Sequence, residues 1–153
     1  MESKRQWITE YNSIMREYDK IYRDVVKALG LNESSSWILY TIRDGGEGIT
    51  QSELVNRIFL PPQTINSELK KLEKGGFVQL LAGADKRKKQ VYLTAKGKEL
   101  SARTADKIIA AEMNVMDFLS EQEMAEFLRL FRKYISCLGN QLEKLKLENN
   151  SNE

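Results

Sequence analysis

Hydrogen-bonding side chains and lysines recur through the segment from Gln63 to Lys74. Its apolar residues Ile65, Leu69 and Leu72 fall on one stripe of a predicted helix. The rest of the helix surface carries amides, hydroxyls and ammonium groups, from Gln63, Thr64, Asn66, Ser67, Lys70, Lys71 and Lys74. Amides and hydroxyls match the donors and acceptors on base edges in the DNA major groove, and lysines neutralise phosphates. Alone, such a face is most often a solvated surface, but followed directly by a basic hairpin it indicates a helix that reads DNA.

A basic run follows between two short apolar segments, Phe77 to Leu81 and Gln90 to Leu93, which have the composition of β-strands. The charged residues of the run are Asp85, Lys86, Arg87, Lys88 and Lys89. From Glu68 to Lys89 seven basic residues stand against three acidic ones, although the net charge of the chain is only +2. The segment predicts a β-hairpin whose basic tip contacts phosphates and reaches the minor groove, where the negative potential attracts an arginine.

Two helices joined by a tight turn come before this hairpin. Thr50 and Glu53 match a capping box that begins a helix from Gln51 to Arg57. The pair Pro61-Pro62 ends that helix and begins the next, which Gly75-Gly76 stops. Helix, turn, helix and hairpin in this order predict a winged helix-turn-helix. The predicted fold class is mainly α with a small β-hairpin wing.

Amphipathic helices flank this motif. Apolar residues recur at spacings of three and four from Trp7 to Leu29, Gly30 ends that helix, and Asn32 begins a short buried helix through about Ile42. A long helical region is predicted from Ala95 to Phe118. Ser120 matches a second capping box, with Glu123, ahead of a final helix.

The final helix carries a heptad seam. Its apolar residues alternate spacings of four and three, and are Met124, Leu128, Phe131, Ile135, Leu138, Leu142 and Leu145. Such a seam is by default intrachain core, but long apolar helices at both ends of one small domain favour a homodimer. The predicted organisation is an N-terminal dimerisation helix over 1–31, a DNA-binding lobe over 32–98, C-terminal dimerisation helices over 99–148 and a disordered tail over 149–153.

These residues resemble the MarR family of winged helix-turn-helix transcriptional regulators from about Trp7 to the final helix. The motifs are Ile49-Thr50-Gln51-Ser52-Glu53-Leu54, Leu72-Glu73-Lys74-Gly75-Gly76-Phe77-Val78, and Asp85-Lys86-Arg87 followed by Val91-Tyr92-Leu93-Thr94-Ala95-Lys96-Gly97. The resemblance implies that Arg87 enters the minor groove, that Asp85 steadies the wing, and that the segment from Gln63 to Lys71 belongs to the recognition helix. The chain departs from the family at Pro61, where a capping serine is frequent, and at the apolar pair Phe59-Leu60.

Four aromatic residues, Tyr18, Tyr22, Trp37 and Tyr40, lie on the first two predicted helices. Aromatic side chains at helical spacing are typical of ordinary core. The resemblance implies a second interpretation, because many members of the family bind small amphipathic, often phenolic, ligands between the dimerisation helices and the DNA-binding lobe. A small-molecule effector at these four residues is therefore a hypothesis beside the core interpretation.

Several classes of protein are excluded or disfavoured. The sequence has no histidine, which removes Ser-His-Asp and Cys-His catalysis and histidine-based zinc sites, so no catalytic residue, metal or cofactor is predicted. The single cysteine, Cys137, cannot form an internal disulfide and is interpreted as structural and not as a redox sensor. No apolar run is long enough for a membrane span or a signal core, which predicts a cytoplasmic location with no membrane contact.

The sequence as a whole predicts a regulator, most often a repressor, that binds a pseudo-palindromic operator in double-stranded DNA as a homodimer. The alternative is a helical protein-interaction module whose basic patch binds an acidic partner. That alternative predicts binding that is independent of DNA sequence.

Overall fold

A computed structural model describes residues 2–83 and 89–150 of the chain. Its backbone contacts group into two compact units, Met1–Ile109 and Ala110–Glu153. The boundary between them falls within the sixth helix. Every helix in the described ranges is too short or too polar to cross a lipid bilayer.

The first unit holds the predicted winged helix-turn-helix. Its elements in chain order are α1 (Glu2–Ala28), α2 (Glu33–Gly45), β1 (Ile49–Thr50), α3 (Gln51–Arg57), α4 (Pro62–Lys74), β2 (Val78–Ala82), β3 (Lys89–Leu93), α5 (Ala95–Ala102) and the start of α6 (Ala105–Val115). The helix-turn-helix is α3 and α4, and the wing is the hairpin of β2 and β3. The predicted fold class is confirmed.

The helix caps predicted from the sequence are present. Asn32 Oδ1 accepts a 2.8 Å hydrogen bond from the Ser35 backbone N–H at the start of α2. Thr50 and Glu53 form the reciprocal capping box of α3, since each side chain accepts a hydrogen bond from the other residue's backbone N–H. Gly30, just beyond α1, has a φ of +73°, a conformation that glycine adopts without strain.

The sheet has one strand more than the sequence predicted. Its order is β1-β3-β2, all antiparallel, and β1 consists of Ile49 and Thr50 alone. Ile49 pairs with Val91, and both side chains are buried. A strand of two residues has no alternation of its own and is defined only by its partner β3. The hairpin register pairs Leu80 with Val91.

The core lies between α2, the helix-turn-helix and the sheet. Its fully buried aliphatic side chains are Ile38, Leu39, Ile42, Leu54, Ile65, Leu69, Val78 and Val91. The apolar stripe of α4 belongs to this core, which fixes the face that the helix turns outward.

The second unit consists of the rest of α6, a 3-10 turn over Met116–Phe118 and α7 (Glu121–Asn150). Ser120 and Glu123 form the predicted capping box of α7, with Ser120 N donating to Glu123 Oε2 at 2.8 Å and Glu123 N donating to Ser120 Oγ at 3.2 Å. The helix continues through Asn150, so Asn149 and Asn150 are helical and do not belong to the predicted disordered tail. Residues 151–153 lie outside the described ranges.

The long helix predicted from Ala95 to Phe118 is also wrong in detail, because α5 ends at Ala102 and α6 begins at Ala105. The buried Thr104 hydroxyl donates a 2.6 Å hydrogen bond to the Leu100 carbonyl. A threonine that bonds the carbonyl four residues earlier competes with the helical backbone and bends it. Neither glycine nor proline marks this break in the sequence.

Candidate nucleic-acid interface

The outward face of α4 carries the side chains predicted to read DNA. The helix begins at Pro62, and Pro61 before it supplies no side-chain hydrogen bond to the helix end. Gln63, Ser67, Lys70, Lys71 and Lys74 are exposed, and Thr64 and Asn66 are half-buried. The structure therefore brings the predicted recognition residues onto one helix, opposite its buried stripe.

Two of these side chains have partners that the sequence did not reveal. The Ser67 hydroxyl donates a 2.9 Å hydrogen bond to the Thr64 carbonyl of the same helix. Lys71 Nζ lies 2.9 Å from Glu68 Oε2, so a carboxylate faces its charge. The Glu68 carboxylate therefore partly compensates the charge of Lys71, although Lys71 lies on an exposed face.

Glu68 is buried, although the sequence analysis did not single it out. Its carboxylate accepts hydrogen bonds from Ser35 Oγ at 2.6 Å, Asn32 Nδ2 at 3.0 Å and Lys71 Nζ at 2.9 Å. Burial alone would raise the pKa of the Glu68 carboxyl, but these three hydrogen bonds and the Lys71 charge outweigh it and hold that pKa below its usual range. Glu68 therefore remains an anion that ties α4 to the start of α2.

A signal for this burial was present in the sequence. Glu68 falls in the apolar stripe of α4, three residues after Ile65 and four before Leu72. An acidic residue on the core face of a helix is buried with its partners or not tolerated at all. The partners themselves, on α2, could not be identified from local pattern.

Asn66 is held from the neighbouring helix. Gln51 Nε2, at the start of α3, donates a 2.5 Å hydrogen bond to Asn66 Oδ1. Both residues line an open cleft of about 520 Å³. The other residues that line it are Thr50, Ser52, Val55, Asn56 and Lys89. Gln51 is a second residue at this interface that the sequence analysis missed.

The base of the wing is anchored to the end of α4. Thr94 Oγ1 donates a 2.6 Å hydrogen bond to the Gly76 carbonyl and accepts one from Gly97 N at 3.0 Å, which caps α5. Lys96 Nζ donates to the Gly75 carbonyl at 2.8 Å and lies 4.4 Å from the centre of the Phe77 ring. The segment from Thr94 to Gly97 thus fixes where the hairpin leaves α4.

Lys89 is the one residue of the predicted wing tip within the described ranges. Asp85, Lys86, Arg87 and Lys88 lie outside the described residues. Lys89 is exposed, but it begins β3 and pairs with Ala82 instead of lying at the tip. It faces the same cleft as Gln51 and Asn66.

The aromatic residues of α1 and α2 form a continuous row. Ring centres are 4.8 Å apart for Tyr18 and Tyr22, 5.4 Å for Tyr22 and Trp37, and 5.7 Å for Trp37 and Tyr40. Tyr18, Tyr22 and Trp37 line a groove of about 220 Å³, and Trp37 and Tyr40 line a neighbouring cleft of about 590 Å³. None of the four is fully buried. The row is therefore not sealed core within the single chain.

Large apolar side chains are exposed on α1 and on α7. On α1 they are Trp7, Ile8, Ile14, Tyr18, Ile21 and Val25. On α7 they are Phe127, Leu128, Leu130, Tyr134, Ile135, Leu138, Leu142, Leu145 and Leu147. Cys137, interpreted from the sequence as a structural residue, is also exposed on α7. Apolar faces of this extent are typical of surfaces that a partner covers.

The described residues contain no group of three or more carboxylate or cysteine side chains arranged to hold a metal ion. What they do bring together is a polar and basic helix face, a cleft beside it and a hairpin anchored to the helix end. This arrangement fits the width and chemistry of the DNA major groove.

Comparison with known proteins gives consistent matches. The model of the MarR family matches residues 29–88. The HTH-type transcriptional regulator YwoH of Bacillus subtilis is 28% identical over 131 residues, which cover 86% of this chain and 95% of that protein.

Two solved structures share the fold. NMB1585, a MarR family regulator from Neisseria meningitidis, has a TM-score of 0.72 at 23% identity, covering 94% of this chain and 98% of that one. The MepR–DNA complex of Staphylococcus aureus has a TM-score of 0.65 at 20% identity, covering 84% of this chain and 93% of that one.

Proposed function

We propose that this chain is a helix-turn-helix transcriptional regulator of the MarR family, which it resembles over residues 29–88, and that it binds a pseudo-palindromic operator in double-stranded DNA as a homodimer. The observation that carries the proposal is the exposed polar face of α4, opposite its buried stripe and beside the anchored wing. The MepR–DNA complex, which has the same fold, supports DNA as the partner. A helix-turn-helix places its second helix, here α4, in the major groove. The similar proteins are transcriptional regulators and not enzymes, so no catalytic activity is part of the proposal.

The contacts with DNA divide between bases and phosphates. Gln63, Thr64, Asn66 and Ser67 are placed on α4 to meet base edges, and Lys70 and Lys71 to meet phosphates. Lys89 adds a cation at the edge of the cleft beside Asn66. On sequence grounds the wing contributes Lys86 and Lys88 to phosphates and Arg87, steadied by Asp85, to the minor groove.

Homodimer formation is supported by the apolar faces of α1 and α7. Each face exposes more large aliphatic and aromatic side chains than scattered surface residues account for. A two-fold dimer presents two recognition helices in opposite directions, which is why the operator should be a pseudo-palindrome. Bound across a promoter, such a dimer blocks transcription, which makes repression the proposed outcome.

A small amphipathic or phenolic effector is proposed for the aromatic row of Tyr18, Tyr22, Trp37 and Tyr40. The groove and cleft beside these rings are open, and their walls combine aromatic surface with polar groups such as Asp19 and Arg23. Substituted phenols should change Trp37 fluorescence in a Trp7→Phe background and lower DNA affinity. If phenols change neither the fluorescence nor the DNA affinity, the effector proposal is contradicted. The proposal that the protein binds DNA is independent of that result.

The decisive experiment is selection of bound fragments from random duplex DNA by the full chain. We expect a two-fold symmetric consensus, and light scattering at micromolar concentration should give the mass of two chains. A consensus without symmetry or the mass of one chain would contradict the homodimer. Equal affinity for every duplex would contradict operator binding and favour an interaction module with a basic patch.

Exchange of an apolar residue for a charge tests the dimer face of α7. Ile135→Asp, in the heptad seam, should shift the mass towards one chain, because the charge would be buried against the partner. Lys133→Glu, on the polar side of the same helix, is the matched control and should leave the mass unchanged.

A further inference from the structure

We propose that Gln51 determines which base edge Asn66 reads, by holding the Asn66 amide in one orientation. The inference rests on the proposed function, since it requires α4 to enter the major groove. The hydrogen bond joins the two helices of the motif, so a residue on α3 contributes to the specificity of α4.

The geometry at the cleft carries the proposal. Gln51 Nε2 donates to Asn66 Oδ1, and the two side chains are half-buried side by side. The cleft that they line is open on its outer side, where Lys89 also lies. Asn66 is thus held at the edge of the surface that faces the base pairs.

One hydrogen bond is enough to orient an amide. A side-chain amide has an acceptor oxygen on one side and a donor NH₂ on the other. With Oδ1 directed at Gln51, the Asn66 Nδ2 group is turned away from it and presents donors to the groove. Bidentate recognition of adenine uses both the oxygen and the nitrogen of an asparagine. Asn66 should instead favour guanine, whose major-groove edge has two acceptors, N7 and O6.

The variant Gln51→Glu should reverse this preference. A carboxylate only accepts hydrogen bonds, so Asn66 must turn its Nδ2 group towards position 51. Oδ1 then faces the groove and accepts from the N4 amino group of cytosine. The variant Gln51→Met has a similar length and no amide, so it leaves Asn66 free to turn either way.

The experiment has two steps on the full chain. Selection from random duplex DNA with the wild type and with Asn66→Ala identifies the base pair whose preference depends on Asn66. Equilibrium titrations then compare two duplexes that differ only by inversion of G·C to C·G at that pair. The quantity measured is the ratio of the two affinities. A loss of folded protein lowers both affinities equally and leaves their ratio unchanged.

We expect the wild type to favour guanine at the contacted position by about two- to tenfold, the range of one hydrogen bond. Gln51→Glu should favour cytosine there, and Gln51→Met should bring the ratio to within about twofold of one. Asn56→Asp is the matched control, because it adds the same charge to the same cleft and has no hydrogen bond to Asn66 in the described structure. It should weaken both duplexes and keep the wild-type ratio.

The outcomes separate the two hypotheses. A wild type that selects no sequence contradicts the proposed function. A specific protein whose base preferences survive Asn66→Ala, or whose ratio is unchanged in Gln51→Glu, overturns the role of Gln51. If Gln51→Glu does not fold, an unchanged ratio in Gln51→Met overturns it equally.

Discussion

The Ser35 hydroxyl donates a 2.6 Å hydrogen bond to Oε1 of Glu68, a residue 33 positions further along the chain. The same oxygen accepts from Asn32 Nδ2 at 3.0 Å, and Asn32 Oδ1 in turn accepts from Ser35 N. One buried carboxylate therefore joins the cap of α2 to the middle of α4, the proposed recognition helix. The position of the outward face of α4 depends on this anion and its partners.

Glu68→Gln should lower the free energy of unfolding by about 1 to 3 kcal/mol, because an amide loses the charge that these donors stabilise and places an NH₂ group against a neighbouring donor. Urea unfolding measures the change. Glu73→Gln, the same substitution at an exposed position of α4, is the matched control and should stay within about 0.5 kcal/mol of the wild type. Equal losses in the two variants would contradict the role of Glu68.

Acid should remove the contribution of Glu68. Its pKa in the folded protein lies below the ordinary value of 4.5, so the unfolded chain binds the proton more readily. Stability from such a group is present above the unfolded pKa and is lost as the pH falls through the folded pKa. The difference in free energy of unfolding between the wild type and Glu68→Gln should be constant from neutral pH to about pH 5.5 and shrink at lower pH.

Urea unfolding of both proteins across this range is the measurement. Glu123 and Glu126 also have lowered pKa values and titrate in the same range, but they are present in both proteins and cancel in the difference. If the stability difference between the wild type and Glu68→Gln grows on acidification, the pKa of Glu68 is not lowered in the folded protein.

Gly97→Ala should be strongly destabilising, because a Cβ at Gly97 would lie 1.9 Å from the Phe77 carbonyl oxygen. That oxygen is backbone and accepts a hydrogen bond from the Thr94 backbone N–H, so it cannot move aside without loss. We expect a cost of about 2 to 3 kcal/mol by urea unfolding. Glu99→Ala, exposed on the same helix, should change stability by less than about 0.5 kcal/mol. A tolerated Gly97→Ala would contradict the close approach of α5 to the wing.

The parts of the fold that follow from local sequence were predictable. The Thr50–Glu53 and Ser120–Glu123 capping boxes need only residues three apart, and both are present in the structure. The stripe of α4 likewise placed its polar side chains on the outside. In each case the residues that determine the feature lie within one or two helical turns of it.

The features that could not be predicted depend on pairs of residues far apart in sequence. The strand β1 exists only because Ile49 meets Val91, and Asn66 is oriented only because Gln51 reaches it from another helix. The apolar stripe of α4 indicated that Glu68 is buried, but its partners on α2 are identified only by the structure. Patterns in a single segment carry no information about such pairings.

Lys70 and Lys71 are adjacent on α4 but should contribute unequally to DNA binding. Lys71 Nζ lies 2.9 Å from Glu68 Oε2, whereas Lys70 has no ion pair in the described part of the chain. A phosphate contact by Lys71 would have to share a cation that Glu68 already compensates. Lys70→Ala should therefore lower the salt slope of operator binding by about one unit, and Lys71→Ala by clearly less.

Equilibrium titrations of operator DNA over a series of salt concentrations give the slopes. Thermal unfolding of both variants checks that the comparison is made on folded protein, since Lys71→Ala also removes a partner from the buried Glu68 carboxylate. A loss of affinity without a change in slope would then reflect a displaced α4 and not a lost phosphate contact. Equal slopes for Lys70→Ala and Lys71→Ala would show that DNA draws Lys71 fully away from Glu68, contrary to the expectation.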